Sequence, residues 1–430
     1  MESVLTISNF LSTFFSNLDW AQIKVLLVYL SIPISSGIIG WATNWMALLM
    51  TFYPLEYIGI KPFGWQGIIP SKAQKMATKS VEMLTSKLLR IEERFAQLDP
   101  VIIARQMQPE LETLSIKVIN EAMEAQAGII WKNTPTPIKK QIYQRAKDEI
   151  PNAVIDIILE VNGQIDKLID LKRIAIETLM ADKQLVNEIF LRCGEKEFKF
   201  IEVSGFWFGG LFGLAQMILS YNYPSGSWFI LPTCGLIVGY LTNVLALKLI
   251  FEPLEPISIL GIYKFQGLFL KRQKEVAKEY AQVVVEKILP TKVMTEYLVR
   301  GPASDRLALI INKEVNNLVE EVVEDMAGAS HPIFTLVAAK RMDIAKNIIM
   351  FHFMKELPIV VKQVEEYAET ALNIENTLAE RMGNLSFKEF EEFLRPVFQE
   401  DEWILILVGA VLGMFAGILQ FVVMWYFGLV

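Results

Sequence analysis

Four stretches of this chain are too long, too apolar and too poor in charge to belong to an ordinary soluble core. They run from about Ile23 to Phe52, with only Lys24 charged, from about Val203 to Tyr221, from about Ser227 to Phe251, and from about Trp403 to Val430. A bilayer span needs about 20 predominantly apolar residues, and each stretch meets that length. Trp20, Trp207, Tyr221, Tyr223, Trp228, Trp403, Trp425 and Tyr426 lie where the two membrane–water boundaries would fall. The chain is 53% hydrophobic yet 21% charged, so apolar stretches must alternate with ordinary amphipathic ones. The first stretch is long for one crossing: Pro33 divides it, or a single helix tilts.

The stretches repeat one another. The first carries Pro33, Gly40, Thr43, Asn44, Ala47, Phe52, Pro54, Leu55 and Glu56; the third carries Pro232, Gly239, Thr242, Asn243, Ala246, Phe251, Pro253, Leu254 and Glu255 at identical spacing. One residue out of step, Gln66, Gly67, Lys72 and Ala77 match Gln266, Gly267, Arg272 and Ala277. The second stretch has Gly205, Gly209, Gly213 and then Gln216; the fourth has Gly409, Gly413, Gly417 and then Gln420. Leu191, Phe200 and Ile201 match Leu394, Trp403 and Ile404 more loosely.

The expected architecture is therefore an all-α integral membrane protein of two tandem, parallel repeats, each a membrane helix, a cytoplasmic helical domain and a second membrane helix. Repeat 1 spans 23–222, with membrane helices at about 23–52 and 203–221 around a soluble domain 53–202. Repeat 2 spans 226–430, with membrane helices at about 227–251 and 403–430 around a soluble domain 252–402. Parallel repeats place a pseudo-two-fold axis along the membrane normal, unlike inverted-repeat transporters. Residues 1–22, with Leu5, Phe10, Leu11, Phe14, Phe15 and Leu18 and no basic residue, read as an amphipathic segment on the membrane rather than a signal peptide.

Nearly all Lys and Arg fall in 53–202 and 252–402, so the positive-inside rule puts both soluble domains in the cytoplasm and both termini outside. Ser71–Leu89 and Lys271–Leu289 show helical periodicity, with breaks expected at Asp99-Pro100, Asn133–Pro137, Ile150-Pro151, Pro290, Gly301-Pro302, Gly328–Pro332 and Pro358.

These motifs resemble the YheB-like bacterial membrane proteins, the domain of unknown function 445. The resemblance is carried by Gly40 to Asn44 (Gly-x-x-Thr-Asn), Phe52 to Leu55 (Phe-x-Pro-Leu), Gly67 to Lys72 (Gly-Ile-Ile-Pro-x-Lys) and the ladder Gly409 to Gln420. It covers nearly the whole chain; Leu270 departs from the pattern where a counterpart of Pro70 is expected. It implies a protein of the bacterial cytoplasmic membrane and brings no activity with it.

Three groups of residues are candidates for function. Thr43, Asn44, Thr242, Asn243, Gln216 and Gln420 are polar inside apolar spans, and either line a path or bind one helix to another. Lys72, Lys75, Lys271, Arg272 and Lys274 follow a membrane exit, as lipid head-group ligands at helix starts or as flanking charge. The glycines Gly205, Gly209, Gly213, Gly409, Gly413 and Gly417 read as helix-packing faces. Lys248 reads as a snorkelling cation and is matched by Leu49; Glu56 and Glu255 read as solvated turns. Cys193, Cys234, His331 and His352 form no metal or disulfide pattern, and the net charge of −7 does not suit a nucleic-acid partner. No nucleophile, acid–base pair, metal site or cofactor motif emerges, so a non-enzymatic role is expected. Lipid handling or membrane organisation leads. A transport path lined by the Thr-Asn pairs, which would call for a homo-oligomer, and a platform for cytoplasmic protein partners are the alternatives.

Overall fold

A computed structural model describes residues 20–60, 63–259, 263–328, 342–395 and 402–427; the amphipathic segment expected at the N-terminus and His331 lie outside them. The first apolar stretch is one continuous helix, Trp20–Phe52, with Pro33 inside it. The others are the ends or whole lengths of Lys183–Asn222, Ser227–Phe251 and Glu402–Tyr426, and these three are long and apolar enough to cross a membrane.

The chain divides into two compact units, and each draws on both halves of the sequence. One comprises residues 1–76, 182–276 and 382–430, and the other 77–181 and 277–381. The chain passes between units inside the helices Ala73–Met83 and Gln273–Val283. Each of these widens into a π-helical turn, Leu84–Leu88 and Val284–Ile288, at matching positions.

In the first unit, Trp20–Phe52 packs along Lys183–Asn222 and Ser227–Phe251 packs along Glu402–Tyr426. The glycine ladders lie at these two seams, facing glycines of the partner helix. A Cβ on Gly40 or Gly205 would collide with the other's carbonyl oxygen, and Gly235 and Gly413 are related in the same way. Gly239 meets Gly409, while Gly213 and Gly417 rest on Pro33 and Pro232. Without side chains between them the backbones come within reach of each other's carbonyls, as small-residue helix faces allow.

Two short antiparallel hairpins interrupt the all-helical plan, Ile58–Ile60 with Phe63–Trp65 and Ile257–Ile259 with Tyr263–Phe265. Strands of three residues are too short for apolar alternation to declare them. Gly59, at φ 120°, supplies a backbone conformation that a side chain would strain.

The second unit is built on four helices, Pro100–Asn133, Thr136–Gly163, Ser304–Gly328 and Met342–Lys362, two from each half of the sequence. Each packs against two of the others. Asp99 caps the first, its carboxylate accepting from the Val101 N–H at 2.8 Å, with Pro100 at the favoured first position. Pro151 and Pro358, expected to break helices, lie inside them instead. An internal proline costs about 3 kcal/mol. Here the buried stripe continues through it, Ile150 to Val154 and Leu357 to Val360, so core burial offsets the lost hydrogen bond.

The seams give a direct expectation. Gly205→Ala or Gly413→Ala should lower stability by about 1–3 kcal/mol through overpacking. Gly210→Ala, whose Cβ would meet nothing nearer than 3.7 Å, should be nearly neutral. Equal melting of all three variants in detergent would contradict the close approach.

Candidate functional site

The polar residues of the apolar helices bond to the helices around them, though Asn44 Oδ1 is buried with no hydrogen-bond partner among the described residues. Asn44 donates from Nδ2 to the Ile201 carbonyl at 2.7 Å, and Asn243 donates from Nδ2 to the Leu405 carbonyl at 2.8 Å. Each bond crosses one glycine seam: Cβ atoms on Gly205 and Gly409 would strike these amides, so the glycine gives the asparagine its access. Thr43 and Thr242 hydroxyls donate to the carbonyls of Gly40 and Gly239, one turn back on their own helices. Both Thr-Asn pairs are thus bonded within their own helix pair, the arrangement expected of interhelical fastening.

The glutamines do meet each other. Gln216 donates from Nε2 to Gln420 Oε1 at 3.0 Å and, more weakly, to the Leu231 carbonyl at 3.4 Å. Ser36 donates to Gln216 Oε1 at 3.2 Å, and Gln420 donates to the Ser35 hydroxyl at 2.7 Å. Ser35 and Ser36 were not singled out in the sequence because the repeat places Cys234 and Gly235 opposite them. The polar cluster joining the two helix pairs is therefore asymmetric.

The basic collar is partly tied up internally. Arg272 bonds Glu197 at 2.5 Å and Glu275 at 2.9 Å, and Lys196 bonds Glu275 at 3.1 Å. Glu197 is only 2% exposed, so Arg272 answers a buried charge. Burial opposes the Arg272 cation, but its bonds to Glu197 and Glu275 outweigh that and raise its pKa. Hydrogen bonding from Lys196, then Arg272, holds the Glu275 carboxyl below its usual range. Ile68–Ser71 and Leu268–Lys271 are single four-residue turns, and Lys72 and Arg272 stand directly before the longer helices Ala73–Met83 and Gln273–Val283, their carbonyls accepting from the Met76 and Val276 N–H groups at 3.0 Å. Lys75, Lys271 and Lys274 are exposed and Lys72 is half-buried.

A further matched pair escaped the sequence reading: Glu188–Arg192 and Glu391–Arg395, each four residues apart. Glu56 pairs with Lys183 at 3.0 Å, an exposed contact worth little, and Lys248 is exposed in the last turn of its helix. Cys193 is buried and Cys234 half-buried, neither in a disulfide; His352 lies 2.6 Å from Glu121.

The largest chemical opportunity lies inside the second unit. Its four helices line a partly open apolar cavity of about 170 Å³, whose lining includes Leu111, Val118, Ala146, Val154, Val319 and Ile349. A second cavity of about 110 Å³ shares Val154, Ile157 and Phe353 with it and reaches Asn162. Among the described residues no charged side chain lines either, and Asn162 Oδ1 is buried with no hydrogen-bond partner. From Ile142 to Asn162 the lining runs along one helix for about 30 Å at ~1.5 Å per residue. Dry apolar cavities take up apolar ligands.

Fold and cavity together define an all-helical membrane protein with a hydrophobic interior outside its apolar helices. Comparison with known proteins agrees on the class. Over 94 residues the chain is 28% identical to a UPF0754 membrane protein of Staphylococcus epidermidis, 21% of this chain and 24% of the relative. Over 92 residues it is 29% identical to a UPF0754 membrane protein of Staphylococcus aureus, 20% of this chain and 24% of that relative. The match thus spans about a quarter of those relatives' own length. No family model and no solved structure matches the chain.

Two measurements test the collar. Arg272→Ala leaves Glu197 buried and unpaired, and should cost about 3 kcal/mol, whereas Lys274→Ala should stay within about 0.5 kcal/mol. Similar melting temperatures for the two would show that the Glu197 pair carries nothing. Because the folded Glu275 pKa is depressed, its stabilising effect is full above the ordinary carboxylate range and is lost as pH falls through its lower folded value. Glu275→Gln should therefore lower stability slightly at neutral pH and flatten the acid limb of a stability–pH profile, bringing the two proteins together at low pH; an unaltered acid limb would contradict this.

Proposed function

We propose that this protein is a non-enzymatic, lipid-handling protein of the bacterial cytoplasmic membrane, and that its second unit holds the chain of a lipid in the bundle cavity. The observation that carries this is the uncharged, elongated apolar interior reaching the unpartnered Asn162 oxygen. An apolar chain gains about 0.8 kcal/mol per methylene moved from water into such a space. A neutral hydrogen-bond donor on the ligand, such as a hydroxyl, would satisfy Asn162. A charged head would find no counter-charge in the lining and is better left outside.

The membrane arrangement belongs to the same proposal. Trp20–Phe52 is read as a fourth span, since it lies along Lys183–Asn222 as Ser227–Phe251 lies along Glu402–Tyr426. The paired asparagine bonds and glycine seams support a tandem repeat. The motifs from Gly40 to Asn44 and from Gly67 to Lys72 support kinship with the YheB-like proteins. The distribution of Lys and Arg supports a cytoplasmic second unit. Asn44 and Asn243 spend their amide donors on helix carbonyls, which favours lipid handling over a solute path between them.

Native mass spectrometry of the full chain purified from membranes tests this. The wild type should retain lipid, and a cavity-filling Ala153→Phe/Val319→Phe variant should lose most of it. Replacing Lys72, Lys75, Lys271 and Lys274 by Ala should leave retention unchanged. No lipid on the wild type, equal retention by the filled variant, or loss only in the lysine variant would overturn the cavity as the site.

A further inference from the structure

We propose that the two β-hairpins are interfacial anchors, each laying an isoleucine-bearing face into the head-group–acyl boundary of the membrane. The argument is independent of the cavity. Each hairpin starts six residues after a long apolar helix ends, at Ile58 after Phe52 and at Ile257 after Phe251. Six residues reach at most about 20 Å, so neither hairpin can lie far from the end of its helix.

Both are also fastened there. The Gly67 N–H donates to the Pro54 carbonyl at 2.9 Å and Gln66 Nε2 to the Leu55 carbonyl at 2.7 Å. Gly267 and Gln266 do the same to Pro253 at 3.0 Å and Leu254 at 2.8 Å. Trp65 reaches back further and packs with Ala47, Ile68 and Leu405, so the first hairpin touches residues inside two of the long helices.

The register divides the faces. Ile58 stands opposite Trp65 and Ile60 opposite Phe63; Ile257 stands opposite Phe265 and Ile259 opposite Tyr263. The alternate positions are Gly59 with Gly64 and Ser258 with Lys264. Alternation therefore puts Ile58 and Ile60 on one face of the first hairpin, opposite Gly59 and Gly64, and Ile257 on the face of the second opposite Ser258 and Lys264. Ile58 is 66% exposed, Ile60 84% and Ile257 56%, with Lys264 exposed on the other face. Isoleucines presented so openly are a liability in water. At the edge of a bilayer, where apolar and aromatic groups enter the acyl boundary and a lysine meets anionic head groups, they fit. The Gln66 and Gln266 latches would then fix the depth and rotation of the helices they follow.

The test is site-directed spin labelling of the full chain in nanodiscs of phosphatidylethanolamine and phosphatidylglycerol, with Cys193 and Cys234 replaced by Ala. Labels at Ile60→Cys and Ile257→Cys should relax several-fold more with oxygen, which partitions into lipid, than with a water-soluble nickel chelate. A label at Lys264→Cys should show the reverse. Nickel-dominated relaxation at either isoleucine position would overturn the proposal. So would oxygen-dominated relaxation at Lys264, or shielding from both reagents with dipolar broadening, which would instead indicate a second copy of the chain.

Discussion

Inside a bilayer no water is available to a backbone carbonyl or a side-chain amide, so every polar group there must be answered by protein. In this molecule the amide donors of Asn44 and Asn243 are answered across the two glycine seams of the apolar helices. Because Gly205 and Gly409 have no side chain, Asn44 and Asn243 reach the carbonyls of Ile201 and Leu405 on the neighbouring helix. Because Gly40 and Gly235 likewise have none, the helix backbones come close enough for those bonds to form. The rest of the first unit follows from the seams. They align the helices whose ends carry the hairpins, and Trp65 and the Arg272–Glu197 pair then lock on to those ends.

The second unit obeys a different rule. It lies in stretches rich in charge, and its helices carry ion pairs on exposed faces, such as Arg173–Glu177 and Lys313–Glu160. Its interior is apolar, and Pro151 and Pro358 are carried through by burial on either side. Four helices drawn equally from two halves of the chain meet around a shared axis with side chains of moderate size, Ala122, Ala146, Ala153 and Ala345 among them. Small residues along a bundle axis leave space, and in a close-packed protein such space is costly unless something occupies it. A lipid chain has the shape and polarity to do so.

Hydropathy was enough to locate the long apolar helices, because a span depends on length and composition and on little else. The repeat spacing marked Asn44 and Asn243 as a matched pair and the glycines as packing faces, though it could not say that each asparagine would reach across a glycine seam. The hairpins were invisible because three-residue strands with glycine at their centre leave no period to read. The helix breaks expected at Pro151 and Pro358 misled because local propensity yields to tertiary burial. The cavity, too, had no signature: Leu111, Val154 and Val319 look like any core residues until four helices are assembled around them. Ser35 and Ser36 were missed because attention to matched positions hides the residues in which the halves differ.

The most direct test of the account is an electron cryo-microscopy map of the full chain in lipid nanodiscs. The account predicts elongated density, not continuous with the polypeptide, threading the cavity between Ile142 and Asn162, with its polar end within hydrogen-bond distance of Asn162 Oδ1. A cavity that is closed by tighter helix packing, empty, or filled by the protein's own chain would contradict it.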